Sequence, residues 1–467
     1  MSSALVGISA LSLGALIERG EISPVEVLYA HLERIDELNP RLNAIVTVCA
    51  DVAGVDARAA EERARASARR GPLDGVPFTV KDVIATEGVR TTLGSLLFAD
   101  HVPTWTATAV SRLQQAGAVL IGKTNTPEFA LDPHTDNRIF GPTVNPLDAE
   151  LTPGGSSGGE GSAVAAGLSA FGVGSDYGGS LRWPAQCNGI HAIRPTPGLV
   201  PGTGLLPSDP ELSMVGPSST SLMGGTIVMG PLARSVEDLG AALAVMAGPD
   251  RFDVRSVPVE ARAPEAVDTG SLACAWLDGD GASPATPDLV AVVERAAGAL
   301  GDVVDRVDAA QPAGLEEAET IYAALRRADG LALYQELAAG HEHELTAAMQ
   351  TWFSEVEPAT VADFQRLTRD RDRLRAVVLD FMETYPIMVM PVSTAPAMPV
   401  GVADFHRRFE MLVPCRVISL LGLPSVAVTV DHLPNGQPAA VQVVARPFRE
   451  DQALAVARAL CNVSSDG

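Results

Sequence analysis

The chain is short of the features that mark several functional classes. Its five cysteines, Cys49, Cys187, Cys274, Cys415 and Cys461, are scattered, odd in number and form no CxxC pair. That excludes a zinc knuckle and a disulfide framework, and points to a reduced, cytoplasmic protein. Positive charge is scarce: 34 Lys and Arg face 57 Asp and Glu, a net charge of -23. Nucleic acid and anionic membranes need clustered basic residues, so neither is expected as a partner. The N-terminal stretch MSSALVGISALSLGALIERG has no basic segment and is broken by Ser and Gly, so neither a signal peptide nor a membrane span is expected. None of the eight histidines lies in an HExxH or nucleophile-elbow context, and only His134 falls in a plausible site loop. No internal repeat or long linker is apparent.

What remains is an ordinary soluble-enzyme balance, 46% apolar and 19% charged over 467 residues. Strand and helix signals alternate along the chain, which predicts a layered α/β fold built on one dominant sheet. Ser23-Pro24-Val25-Glu26 is a capping box that starts a helix, which Asn39-Pro40 should end. Strands are expected at 45–48, 118–121, 387–390, 426–430 and 440–444, the last two joined by an Asn435-Gly436 turn. Helices are expected at 53–70, 287–300 and 315–339, and residues 122–128 read as a loop. Residues 132–153 form a long, polar, turn-rich segment of the kind that carries function.

The most informative stretch is 154–185, GGSSGGEGSAVAAGLSAFGVGSDYGGSLRWPA. Two glycine–serine clusters flank an apolar run that reads as a buried helix and then a strand. Such turns can aim several N–H groups at one point, as an oxyanion site requires. Ser180 follows Asp176-Tyr177-Gly178-Gly179 and is a candidate nucleophile, but a hydroxyl needs a base. A lysine serves where burial leaves it neutral. Lys81, after the apolar run 76–80, is the candidate; a solvated lysine, or one paired with Asp82, is the plainer reading of that residue alone.

The stretch 154–185 resembles the amidase signature, with Ser156 and Ser180 at its spacing of 24 positions. The resemblance extends over nearly the whole chain: GVPFTVKD at 75–82, GKTNTPEF at 122–129, the TDN of 135–137, the region 228–238 and the closing GLP and PAAVQVVARPF all match. It implies a three-layer α/β/α fold with a large mixed central sheet, spanning 1–467 as a single domain, with 250–380 a more variable, partly helical region packed on the core. It also implies a Ser–cisSer–Lys triad. Ser180 would attack, Ser156, after a cis peptide bond, would relay protons, and Lys81 would be the base. The N–H groups of Tyr177, Gly178, Gly179 and Ser180 would form the oxyanion hole. Ser157 would support the triad, and Asp176 and Arg182 would hold the loop. The reaction implied is metal-independent and cofactor-free hydrolysis of a small amide, or of an anilide, ester or carbamate (urethanase or aryl acylamidase activity); a homodimer is the expected assembly.

The chain departs from the family pattern around Asp132-Pro133-His134, at Asn188, and between Leu205 and Thr226, where Met214 and neighbouring Ser, Leu and Met residues look inserted. His134, Met214 and Tyr177 are therefore the candidate substrate-binding residues, and an apolar, adaptable loop favours a bulky, aryl substrate. Two other readings compete. Residues 117–124 match the Walker A pattern literally, but the intervening residues read as a strand, not a phosphate loop. The family also includes the catalytic subunit of a glutamine-dependent amidotransferase. A non-catalytic member does not fit the intact Lys81, Ser156 and Ser180.

Overall fold

The computed structural model describes residues 5–205, 221–329, 331–356, 359–402 and 404–465. Its centre is an eleven-stranded mixed sheet. In chain order the strands are β1 (Ile45–Val48), β2 (Pro77–Lys81), β3 (Val119–Thr124), β4 (Phe171–Asp176), β5 (His191–Arg194), β6 (Val228–Ala233), β7 (Ala273–Trp276), β8 (Arg306–Ala309), β9 (Ile387–Pro391), β10 (Ser425–His432) and β11 (Pro438–Ala445). Their spatial order is β1-β3-β2-β4-β6-β5-β10-β11-β9-β7-β8. β2 runs parallel to β3 and β4, and β7 to β8 and β9; the other pairs are antiparallel.

Every residue of β2, β3, β4, β6, β9 and β11 is buried. Strands buried on both faces need helices on both sides, the α/β layering expected from the alternating signals. The core is set by such pairs as Phe78 and Phe171, direct neighbours in the β2–β4 ladder. Their rings stack at 5.4 Å. Fully burying one such side chain contributes about 1.5–3 kcal/mol. No helix among the described residues is long and apolar enough to cross a membrane.

Local signals place many of these elements. The capping box is formed: Ser23 Oγ accepts from Glu26 N–H at 3.1 Å and Glu26 returns the bond at 2.7 Å. That helix does not stop at Asn39-Pro40, however; it runs Pro24–Leu42 with Pro40 inside its last turns. One missing N–H near a helix end is tolerated, and the chain turns only at Asn43, which takes a left-handed φ of 49°. The segment expected as one helix at 315–339 is three pieces, Leu315–Glu317, Ala318–Asp329 and Ala332–Ala338. Residues 122–124 belong to β3 rather than to a loop, because Lys123 and Thr124 pair with Val80 and Lys81. This strand also removes the Walker A reading: Lys123 is buried, and its ammonium donates to the carbonyl of Ile84 and to Thr91 Oγ1, the latter at 2.9 Å.

Candidate active site

Three segments converge at one end of β2 and β4. Lys81 is the last residue of β2 and is completely buried. Ser156 lies on the turn before the helix Gly158–Ala165, and Gly155–Ser156 is a cis peptide bond. Gly154 makes that turn possible, with φ 79° and Pro184 so close that a Cβ there would sit 2.8 Å from it. The third segment is the end of β4, where Ser175 and Asp176 lead into the turn 177–180.

Lys81 Nζ donates to Ser156 Oγ at 2.7 Å and to Ser175 Oγ at 3.1 Å. Burial pushes the lysine down to about 7, against the opposing pull of the Asp176 and Glu160 carboxylates. A lysine in that range is neutral often enough at physiological pH to accept a proton. Ser157 joins the two turns through the backbone: its N–H donates to the Ser180 carbonyl at 3.3 Å, and its hydroxyl bridges to the Ser175 main chain at 3.2 Å. No hydrogen bond links the Ser156 and Ser180 hydroxyls among the described residues; Ser180 instead lines the adjoining cavity.

Asp176 organises the turn. It is fully buried and accepts from the guanidiniums of Arg182 (3.1 Å, twice) and Arg194 (3.4 Å). Burial alone would raise its carboxyl, but Arg182 and Arg194 outweigh that and hold it well below the usual carboxylate range. Its two oxygens also accept from Gly179 N–H (2.8 Å) and Leu181 N–H (3.2 Å). The four N–H groups expected as oxyanion donors therefore differ in how they are engaged. Gly179 N–H is held by Asp176, which leaves Tyr177, Gly178 and Ser180 as the backbone donors without a protein acceptor among the described residues. Gly179 itself is fixed by a φ of 125° and by Cys415, whose Cβ would lie 2.8 Å from any side chain added there.

The cavity over Ser180 is narrow, about 40 Å³. Leu131, Asp132, Pro133, Gly155, Tyr177 and Gly178 form its floor and near side. The roof comes from distant sequence: Tyr322, Arg326, Trp352, Phe409, Leu412 and Arg416. The rings of Tyr177 and Tyr322 lie 5.8 Å apart, and Trp352 meets Phe409 edge-on at 5.1 Å. Arg326 lies 3.5 Å over the Trp352 ring, and Arg416 pairs with Glu319 at 2.8 Å. The lining is mostly apolar and rich in aromatic rings, with Asp132, Arg326 and Arg416 as charged groups among them.

Of the expected substrate-binding residues, Tyr177 reaches this cavity. His134 does not: it lines a separate cavity of about 270 Å³ beyond Asp132, with Nδ1 2.8 Å from Thr152 Oγ1. Burial pushes its imidazole down to about 4, so it stands as a neutral, hydrogen-bonded group. Met214 lies outside the described residues. Sequence reasoning missed Ser175 and Glu160. Ser175 lies beside Asp176 at the end of β4 and carries no motif of its own. Glu160 is the lone acid in an otherwise small-residue helix, Gly158–Ala165, which was signal enough. The roof residues carry no local motif.

Relatives share this arrangement of elements. The amidase family model matches residues 26–454. An indoleacetamide hydrolase from Bradyrhizobium diazoefficiens is 34% identical over 466 residues, covering 97% of this chain and 86% of that one. A glutamyl-tRNA(Gln) amidotransferase subunit from Thermus thermophilus is 33% identical over 469 residues, covering 94% and 93%. The structure of a 6-aminohexanoate cyclic dimer hydrolase superposes with a TM-score of 0.86 at 25% identity, covering 98% of this chain and 97% of that one. With a family match that spans most of its length and carries the double-serine stretch, the chain belongs to the amidase family, the amidase signature enzymes.

Proposed function

We propose that this enzyme hydrolyses the amide bond of an aryl or arylalkyl carboxamide through a serine acyl-enzyme. Ser180 Oγ attacks the carbonyl carbon. Its proton passes to Ser156 Oγ as the Ser156 proton passes to Lys81 Nζ. The oxyanion that forms is received by the N–H groups of Tyr177, Gly178 and Ser180. The Lys81 proton then returns through Ser156 to the leaving nitrogen, the C–N bond breaks, and the amine departs. Water repeats the sequence on the acyl-enzyme and releases the carboxylic acid. The two serine hydroxyls come together as substrate fills the cavity, since catalytic hydrogen bonds tighten in the reacting complex.

The observation that carries this reading is the buried Lys81 amine, 2.7 Å from Ser156 Oγ and pushed down to about 7. The same tetrahedral chemistry reaches anilides, esters and carbamates where the cavity admits them. We read residues 1–467 as one catalytic domain, since strands from 273–309 extend the same sheet as β2 and β4. The reading as part of an amidotransferase has the Thermus relative in its favour. The aromatic walls of the cavity favour an aryl group over the small polar side chain of glutamine. The test is direct. Ser180→Ala and Lys81→Ala should each abolish hydrolysis of a chromogenic anilide while the circular dichroism spectrum is unchanged. Mass spectrometry should find an acyl adduct on Ser180 with a slowly deacylating aryl ester. Wild-type turnover by Lys81→Ala would overturn the reading, and glutaminase activity that emerges only with a second protein chain would replace it.

A further inference from the structure

The cavity over Ser180 has a larger neighbour, about 270 Å³ against about 40 Å³. The two meet at Leu131 and Asp132, which line both. Two helices straddle this boundary. Ala347–Ser354 puts Met349 into the larger cavity and Trp352 into the smaller one. Phe405–Glu410 likewise puts Arg408 into the larger and Phe409 into the smaller. The wall between them is pinned at both of its residues: Trp352 Nε1 donates to the Leu131 carbonyl at 2.8 Å, and Arg408 pairs with Asp132 Oδ2 at 2.8 Å. On its far side the larger cavity reaches the surface, at the exposed residues Asp136, Arg138 and Ala347.

The segment that carries this wall is fastened to the turn that holds Ser156. Its main chain lies directly on Gly155, where an added Cβ would sit 2.6 Å from the Asp132 carbonyl oxygen and 2.8 Å from the His134 nitrogen. Thr135 Oγ1 donates to the Gly154 carbonyl at 2.9 Å and accepts from Gly158 N–H at 3.1 Å. The larger cavity thus adjoins the smaller along the edge next to that turn, whereas Tyr177, Gly178, Tyr322 and Arg416 line the smaller one alone. That placement sorts the parts of a bound amide. The carbonyl oxygen turns toward the N–H groups of Tyr177, Gly178 and Ser180. The nitrogen faces Ser156, from which it takes its proton. A substituent on that nitrogen then points to the Leu131–Asp132 edge, and the acyl group to the roof. The small cavity has no space for a second large group beside the acyl part; the larger one has.

We propose that the 270 Å³ cavity beyond Leu131 and Asp132 is the leaving-group subsite, and that the substrate is accordingly an N-alkyl or N-aryl amide rather than a primary one. The inference rests on the reading of Ser180 as nucleophile and Ser156 as proton donor to the leaving nitrogen. The lining suits such a group: Ala348 and Met349 offer apolar contact inside, and Asp136 and Arg138 meet a polar end at the mouth. His134, which the cavity over Ser180 does not include, then contacts substrate on the amine side. The same opening lets the amine depart to solvent while the acyl group is still held on Ser180.

The experiment compares phenylacetamide with its N-butyl and N-benzyl derivatives on the full chain. The three share one acyl group and release one common product, phenylacetate, which chromatography measures. In the wild type, kcat/KM for the N-benzyl amide should exceed that for phenylacetamide by about tenfold. A ratio of one or less would overturn the proposal. Ala348→Phe puts a ring into the larger cavity at a residue that does not line the one over Ser180. It should lower the N-benzyl to phenylacetamide ratio about tenfold. A general disturbance of the scaffold would lower both rates together and leave the ratio in place, so a folded Ala348→Phe with an unmoved ratio would also overturn it. If Ala348→Phe does not fold, the wild-type series decides alone. Ser180→Ala separates the two levels of the argument. Turnover by that variant would sink the acyl-enzyme reading; a dead Ser180→Ala with an unmoved Ala348→Phe ratio would sink only the subsite.

Discussion

Replacing Asp176 by asparagine tests how the turn 177–180 is held. The wild-type carboxylate stands between two buried guanidiniums, at 3.1 Å from Arg182 and 3.4 Å from Arg194. Asparagine keeps the volume and one acceptor but removes the charge, so two cations are left in a dry site. Arg182 still has Gln442 (2.9 Å), Ser419 (2.8 Å) and the Cys415 carbonyl (3.0 Å), all of them neutral. Breaking a buried pair from one side costs about 3–5 kcal/mol. For 467 residues the unfolding entropy near 60 °C is roughly 1 kcal/mol per degree, so the melting temperature should fall by roughly 3–5 °C. The pH dependence has a definite sign. The folded carboxyl is held below its unfolded value of about 3.9, so its stabilisation is complete above that pH and is lost as pH falls through the folded value. The gap between wild type and Asp176→Asn should therefore stay constant from pH 5 to 9 and narrow only below about pH 4. Activity should drop as well. Gly179 and Leu181 N–H groups lose the ionised acceptor that orients the turn, and a misplaced oxyanion donor lowers kcat about 100-fold. Calorimetric scans and anilide kinetics read both effects. A variant within about 1 °C and twofold of wild type would refute the view that this carboxylate positions the turn.

Three further outcomes follow from the same site. If Lys81 is the base, wild-type kcat/KM should fall with an acid limb near pH 7 and be down about 100-fold at pH 5, because a base with that midpoint is then about 1% neutral; a flat profile between pH 5 and 8 would contradict it. Because the folded lysine sits below its unfolded value near 10.4, the unfolded chain binds the extra proton between these values and stability rises with pH across the window, so Lys81→Met should abolish that slope and melt higher than wild type at pH 6. Trp352 forms part of the cavity roof, with Arg326 over its face and Phe409 at its edge. Trp352→Leu should raise KM for an aryl amide about 3–10-fold, the worth of one aromatic contact, and leave KM for acetamide unchanged; equal losses on both substrates would place Trp352 in the general scaffold instead.

The segments that carry Lys81, Ser156 and Ser180 are more legible in the sequence than the cavity lining above them, for a physical reason. Lys81, Ser156 and Ser180 sit in short segments whose local demands are severe: a buried strand end, a turn that needs glycine at 154, a turn that needs glycine at 179. Such demands leave marks in neighbouring residues. The refinements depend on local backbone geometry that the residue types alone do not fix. Gly179 N–H reads as a free donor in the sequence, whereas in the fold Asp176 Oδ1 accepts from it at 2.8 Å. His134 looks like a pocket residue until the chain at Asp132 and Pro133 is seen to turn it into the neighbouring cavity. Helix ends were legible to within a few residues where a cap was present, as at Ser23. They failed at Pro40, because a proline near a helix terminus removes only one bond.

The roof is where this enzyme can change substrate without changing chemistry. Tyr322, Arg326, Trp352 and Phe409 lie far along the chain from Lys81, whose amine is taken up by Ser156 and Ser175. Substitutions among them alter the space over Ser180 while the 2.7 Å Lys81–Ser156 contact stays as it is. The freedom stops at the helix Val413–Leu421. Cys415 packs against Gly179 so closely that no Cβ fits between them, and Arg182 bonds both the Cys415 carbonyl and Ser419 while it holds Asp176. A shift of that helix would therefore pull on the turn 177–180 through a buried charge cluster. Arg416, on the same helix, reaches the cavity from a fixed base, whereas Trp352 and Phe409 reach it from segments outside that cluster. Changes of substrate preference should accordingly come more readily at 352 and 409 than at 412–419.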